Sequence, residues 1–233
     1  MMAKRKQKAA RTKKKKPKRK LKILVSSSVY GNENLLDSIY ALLDDFGYEV
    51  LMSCRGTVSV DPSETAMDCC LDAVEECDLF LGVILPWYGS GKEDDDSDSI
   101  THREMIEAIA LNKPRWFLVH EHVALARQIF GPFRKMYDEK NPLRPFEFKE
   151  GMKPEKLKVI SDIRVIDMFE LATRLDVPNA KDRKGNWVQH FGPDKDARLF
   201  VTYQFRRYRE LTEKYLPMLD VADELQSKLG ANK

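Results

Sequence analysis

The chain has 233 residues, 42% of them hydrophobic and 33% charged, with a formal net charge of +3. That is enough for one globular body with a full core, and no apolar run approaches the ~20 residues that span a bilayer. The charge is divided unevenly: 13 of the 40 Lys and Arg fall within Met1–Lys22, which holds no acid, leaving 27 bases against 37 acids in the rest.

Residues 1–20 carry Lys4-Arg5-Lys6, Lys13 to Lys16 and Lys18-Arg19-Lys20 among Ala, Gln and Thr. Such a run repels itself and buries nothing, so a disordered basic tail is expected. No apolar segment follows it as in a secretory signal. Its charge suits non-specific contact with nucleic acid through counterion release, and the absence of aromatics argues against base-specific stacking. A solubilising arm is the plainer alternative.

An α/β body is expected over residues 21–169. Leu21 to Val25 reads as a buried strand ending in the polar turn Ser26-Ser27-Ser28. Leu35, Leu36, Ile39, Leu42, Leu43 and Phe46 recur at helical spacing, with Gly47 as the residue past the helix end. Tyr48–Ser53 suits a second strand. Asp61-Pro62-Ser63-Glu64 has the pattern of a helix start, with cap, proline and acid in sequence, and that helix is expected to run to about Glu76. Asp78–Leu85 is an apolar strand running into Pro86-Trp87-Tyr88-Gly89-Ser90, an acidic loop and a helix opening near Ile100. Arg115–Val119 gives a fourth strand, Glu121–Met136 a helix interrupted near Gly131-Pro132, and Ile163–Met168 a fifth strand. This alternation argues for a parallel sheet covered on both faces by helices.

In residues 170–233, Asp176–Asp196 reads as a long loop and Arg198–Leu229 as a C-terminal helical extension kinked at Pro217. The extension either packs back on the sheet, the preferred reading, or pairs with a second subunit in a homo-oligomer. The four cysteines, Cys54, Cys69, Cys70 and Cys77, show no zinc-ligand spacing with histidine partners. Reduced thiols in a cytoplasmic protein are the reading, with neither metal nor cofactor expected. Asp94, Asp96 and Asp98 mimic the start of a calcium loop, but Ser99 and Met105 stand where the pattern needs Gly and Glu, so a solvated acidic loop is expected. His102, His120, His122 and His190 are read as lone surface histidines.

Five short motifs in this order, Leu21–Tyr30, Cys77-Asp78, Trp87–Ser90, Ser99–Glu104 and Asn112-Lys113-Pro114, resemble the family called domain of unknown function 4062. That family is allied to TIR domains and nucleoside deoxyribosyltransferases. The resemblance implies a flavodoxin-like, TIR-like fold with a nucleotide-shaped cleft, in which the glutamate matched by Glu104 acts on the ribose C1′. Two departures stand out: Gly31-Asn32-Glu33-Asn34 replaces the acidic and arginine residues usual after the serine turn, and Glu93–Asp98 is an acidic insertion on the cleft rim.

The resemblance points to nucleotide N-glycosidase chemistry, such as NAD hydrolysis, with Glu104 as the catalytic group. The N-glycosidic bond of an oxidised nicotinamide dinucleotide has a cationic leaving group, so one carboxylate facing the oxocarbenium-like sugar suffices. Trp87 or Tyr88 would stack on the base, Ser26, Ser27 and Ser28 would hold sugar or phosphate oxygens, and Thr101 would orient Glu104. A structural reading competes with this one: Thr101-His102-Arg103-Glu104 also fits a capping box, Thr at the cap and Glu reaching back. A non-catalytic TIR-like module that binds a nucleotide or a partner protein, with the tail on nucleic acid, is the alternative function.

Overall fold

The structure, a computed structural model, describes residues 19–91, 97–135, 145–154, 156–175 and 177–230. Most of the basic tail, and Glu93 to Asp96 of the acidic loop, lie outside the described residues.

The sheet is built from β1 (Lys22–Ser27), β2 (Glu49–Leu51), β3 (Leu79–Ile84), β4 (Arg115–His120) and β5 (Val188–Phe191), in the order β2-β1-β3-β4-β5 with every pair parallel. This is the flavodoxin-like order, in which the chain reverses its direction of travel between β1 and β3. Every residue of β3 is buried, as expected of a central strand covered on both faces.

Side chains alternate along the strands. Ile23, Val25, Leu81 and Val83 face one layer, made of α1 (Glu33–Phe46), α6 (Asp194–Phe205) and α7 (Tyr208–Gly230). Leu24, Phe80, Ile84 and Phe117 face the other, made chiefly of α2 (Ala66–Glu76), α3 (Ile100–Ala110), α4 (Glu121–Phe130) and α5 (Arg164–Ala172). Helix α1 buries Leu35, Leu36, Ile39 and Leu43 and ends at Gly47, whose φ of 103° lets its N–H and the next one close back on the last carbonyls.

Four sequence expectations are corrected. First, α2 starts at Ala66, not at Asp61-Pro62: Thr65 accepts from the Asp68 amide and the Asp68 carboxylate returns the bond, while Asp61 closes a local turn with Ser63. Second, Ile163–Met168 is not a strand. It lies largely in α5, where Val165, Met168, Phe169 and Ala172 sit at i, i+3, i+4 and i+7 and are buried against the sheet. Third, the fifth strand is Val188–Phe191, inside the segment read as a loop, and it pairs with β4 beyond Phe169. Fourth, the terminal helix is two helices, broken between Phe205 and Tyr208, with Pro217 inside the second.

The extension packs back on the body. Phe200, Val201, Phe205, Leu211 and Leu216 join the core of the α1 layer, and the Tyr48 hydroxyl donates to the Phe205 carbonyl at 3.1 Å. Among the described residues no helix is long and apolar enough to cross a membrane.

Candidate active site

A cavity of about 620 Å³ opens at the carboxyl ends of β1 and β3, the switch point where open α/β sheets bind ligands. Ser27 and Ser28 line it from the end of β1, Trp87 and Gly89 from the end of β3, and Thr101 and Glu104 from α3. Its remaining wall brings Glu33, Ser53, Ala66 and Cys70 from the α1 start, the turn after β2 and the first two turns of α2.

Glu104 is the centre of this arrangement. It is 5% exposed, its carboxylate accepts a 2.5 Å hydrogen bond from the Ser26 hydroxyl, and the Cys70 thiol is a neighbour that interacts with it. Burial raises the Glu104 pKa from 4.5 to about 7, against the Ser26 hydrogen bond and the neighbouring Cys70 thiol, which favour the charged form. No Lys, Arg or His belongs to the described lining of the cavity, so the carboxylate has no cation beside it there. Burial and the neighbouring Glu104 push the Cys70 thiol up to about 12, so it stays protonated.

The capping box at Thr101 does not form. Helix α3 begins at Ile100, and its cap is Ser99, whose side chain accepts from the His102 amide. Glu104 therefore lies past the first turn and turns to Ser26 instead. Thr101 lines the cavity, but the hydroxyl that holds Glu104 is that of Ser26, a role the sequence reading gave to Thr101.

Ser28 donates to the Trp87 carbonyl at 2.8 Å, tying the end of β1 to the end of β3 across the switch point. Ser27 closes on the Ser28 carbonyl at 2.9 Å. Trp87 is 47% exposed, with its ring edge-on to Tyr30 at 6.2 Å, so an indole surface is open to a ligand. Gly89 adopts a φ of 94°, a backbone conformation that residues with a Cβ rarely take. A glycine is what lets this loop sit against the cavity wall.

Tyr88 is corrected: it does not face the cavity. Its side chain is 2% exposed, with its hydroxyl 2.7 Å from His102 Nδ1 and 3.1 Å from Asp98 Oδ1. The Arg164 guanidinium lies 4.5 Å from the ring centroid and is held in turn by Asp162. His102 is thus a buried member of a polar network, not a surface histidine. The His102 bond holds the Asp98 carboxyl below its usual range, and Asp98 is a fixed partner of the network, not a solvated loop residue. The network clamps the start of α3, from which Glu104 projects.

Cys70, Ser53 and Glu33 are site residues that sequence reasoning missed. Cys70 had a detectable signal, since it lies at an early position of the helix that faces the same switch point. Ser53 and Glu33 carried none beyond residue type. All four cysteines are free thiols, and among the described residues no group of three or more His, Cys, Asp or Glu is placed to hold a metal ion.

A sequence profile described as "Domain of unknown function (DUF4062)" matches residues 22–175, a span that contains every residue lining the cavity. No curated protein matches the chain in sequence. Among solved structures, a 2-desoxiribosyltransferase from Leishmania mexicana is similar over 43% of this chain and 65% of its own, at 17% identity and a TM-score of 0.29. The chain thus spans 65% of that protein's length, and the likeness is too slight to carry an argument about activity.

Proposed function

The chain belongs to the DUF4062 family, whose matched span holds the whole cavity, and from that premise we propose that it is a nucleotide N-glycosidase. Glu104 acts at the ribose C1′, in the manner of an NAD hydrolase. The observation that carries this reading is a buried carboxylate, its pKa raised to about 7, on the wall of a cavity of about 620 Å³ whose described lining holds no cation. A buried carboxylate without a counter-charge is costly in its ionised form. A ligand that brings or develops positive charge offsets that cost, and an oxocarbenium-like sugar does so only as the bond breaks.

The C1′–N bond of a substrate with a cationic base cleaves with its electron pair moving to the ring nitrogen, so the base departs neutral and needs no acid. Charge then develops on C1′ and the ring oxygen, opposite the Glu104 carboxylate that Ser26 holds in place. Water adds to C1′, and Glu104 takes the proton released. Trp87 offers its exposed ring to the base, while Ser27, Ser28 and Thr101 offer hydroxyls to the sugar.

A chromatographic screen of nucleosides and dinucleotides with the purified protein tests this. Free base should appear with the wild type and be absent with Glu104→Gln, checked to be folded. No release from any substrate would leave a module that binds without turnover.

A further inference from the structure

A second cavity, of about 360 Å³, lies on the same edge of the sheet. Trp87 belongs to both cavities, and the adjacent residues Asn32 and Glu33 line one each. The second is walled by His120 at the end of β4 and His122 just beyond it, by Asn32 and Pro86 after β1 and β3, and by residues 157–161 of the segment leading to α5. That segment is fastened across the opening: the Ser161 amide donates to the Pro86 carbonyl at 2.8 Å, and the Tyr88 amide donates to Ser161 Oγ at 2.9 Å.

The two cavities are opposite in charge character. The described lining of the first includes two acids, Glu33 and Glu104, and no base. That of the second includes Lys158, His120 and His122 and no acid. Glu121 and Asp194, which interact with His120, are not part of it.

Donor geometry agrees. His120 caps α4, its Nδ1 accepting from the His122 amide at 3.1 Å. A neutral imidazole whose Nδ1 accepts carries its proton on Nε2, so His120 keeps a donor without being charged. The amino end of α4 adds its dipole, and Asn32 and the Ser161 hydroxyl add further polar groups.

We infer that the second cavity is the site for the phosphate or diphosphate of the substrate, with sugar and base in the first cavity and Trp87 between them. The substrate class is then a nucleoside 5′-phosphate or 5′-diphosphate derivative and not a free nucleoside. This rests on the glycosidase reading for what the first cavity holds, and on the charge contrast for what the second holds.

Calorimetric titration of the full chain with inorganic pyrophosphate, adenosine and adenosine 5′-diphosphate tests the assignment. The diphosphate should bind at least tenfold more tightly than adenosine, and pyrophosphate should bind and compete with it. In the variant carrying His122→Ala and Lys158→Glu the preference should fall toward unity with adenosine binding unchanged, and Lys158→Ala, the milder change, should fall between. Glu104→Gln should retain the preference. Equal binding of adenosine and its diphosphate, a preference that survives the double substitution, or no binding of either phosphate-bearing probe overturns the assignment. The two readings fail differently. Phosphate preference without base release from any substrate sinks the glycosidase, whereas equal base release from nucleosides and nucleotides sinks the phosphate site.

Discussion

Ser26 and Glu104 lie 78 residues apart in sequence and meet in a 2.5 Å hydrogen bond inside the body, the Ser26 hydroxyl donating to the carboxylate. The carboxyl end of β1 thereby fixes the α3 side chain that faces the cavity. Removing it with Ser26→Ala takes away a bond that favours the ionised form, so the Glu104 pKa should rise further. If ionised Glu104 drives base release, kcat/KM climbs with pH through about 7 in the wild type and the climb moves to higher pH in the variant. A profile that falls above pH 7 would instead assign Glu104 as a proton donor. Above pH 7 the variant should also lose about 2 kcal/mol of stability, the scale for a hydrogen bond to a buried charge.

Glu104 should weaken the fold at high pH. Its folded pKa, about 7, lies above the usual 4.5, so its favourable contribution is complete below pH 4.5 and is lost as pH rises through 7. Glu104→Gln removes the titration, and at about 1.4 kcal/mol per unit the variant should be more stable by about 3 kcal/mol at pH 8. The advantage should vanish near pH 4. Thermal unfolding of both proteins at the two pH values measures it, and a variant less stable than wild type at pH 8 would contradict the buried, uncompensated carboxylate.

Neighbouring aromatics at the end of β3 should behave in opposite ways. Trp87, 47% exposed, is a ligand surface: Trp87→Ala should raise KM about tenfold, the scale of one base–aromatic stack, with little change in melting temperature. Tyr88, 2% exposed and bonded to His102 and Asp98, is part of the support. Tyr88→Phe should cost about 1 kcal/mol by removing the hydroxyl's bonds, while Asp98 and His102 keep their bond to each other. Thermal melts and steady-state kinetics on the two variants separate the roles.

The same pair shows how far the sequence is legible. Trp87-Tyr88 at a strand end marks the cavity, and nothing in residue type says which ring faces it; packing against Arg164 and His102 decides. Glu104 was visible as a carboxylate at the right helix. Its partner was not, because Ser99 and Thr101 are both good caps and only the tertiary bond to Ser26 distinguishes them. Helix α5 carried a readable stripe at Val165, Met168, Phe169 and Ala172, hidden because its apolar residues are dense enough to pass for a strand. Strand β5 has four residues, of which Val188 and Phe191 alone favour a strand, and it forms because β4 offers an edge. Cys70 lay early on a helix facing the switch point, but the crossing of α2 and α3 is what sets it beside Glu104.

The basic tail should act independently of the cavity. Arg19, the first described residue, pairs with Asp78 at 2.7 Å, and the Lys22 amide donates to the same carboxylate at 2.8 Å. The chain thus enters the sheet at the amino end of β1, the edge opposite the cavity. Residues 1–18 hold ten Lys and Arg and no acid, so contact with a polyanion should follow counterion release, with affinity falling steeply as salt rises. Deleting residues 2–18 should abolish retention on single- and double-stranded DNA of arbitrary sequence at low salt. It should leave base release and melting temperature unchanged, because the Arg19–Asp78 pair and the strand behind it are intact. Electrophoretic shifts over a salt series, run beside the turnover assay, measure both. Salt-dependent binding that persists in the truncated protein would place the contact on the folded body instead.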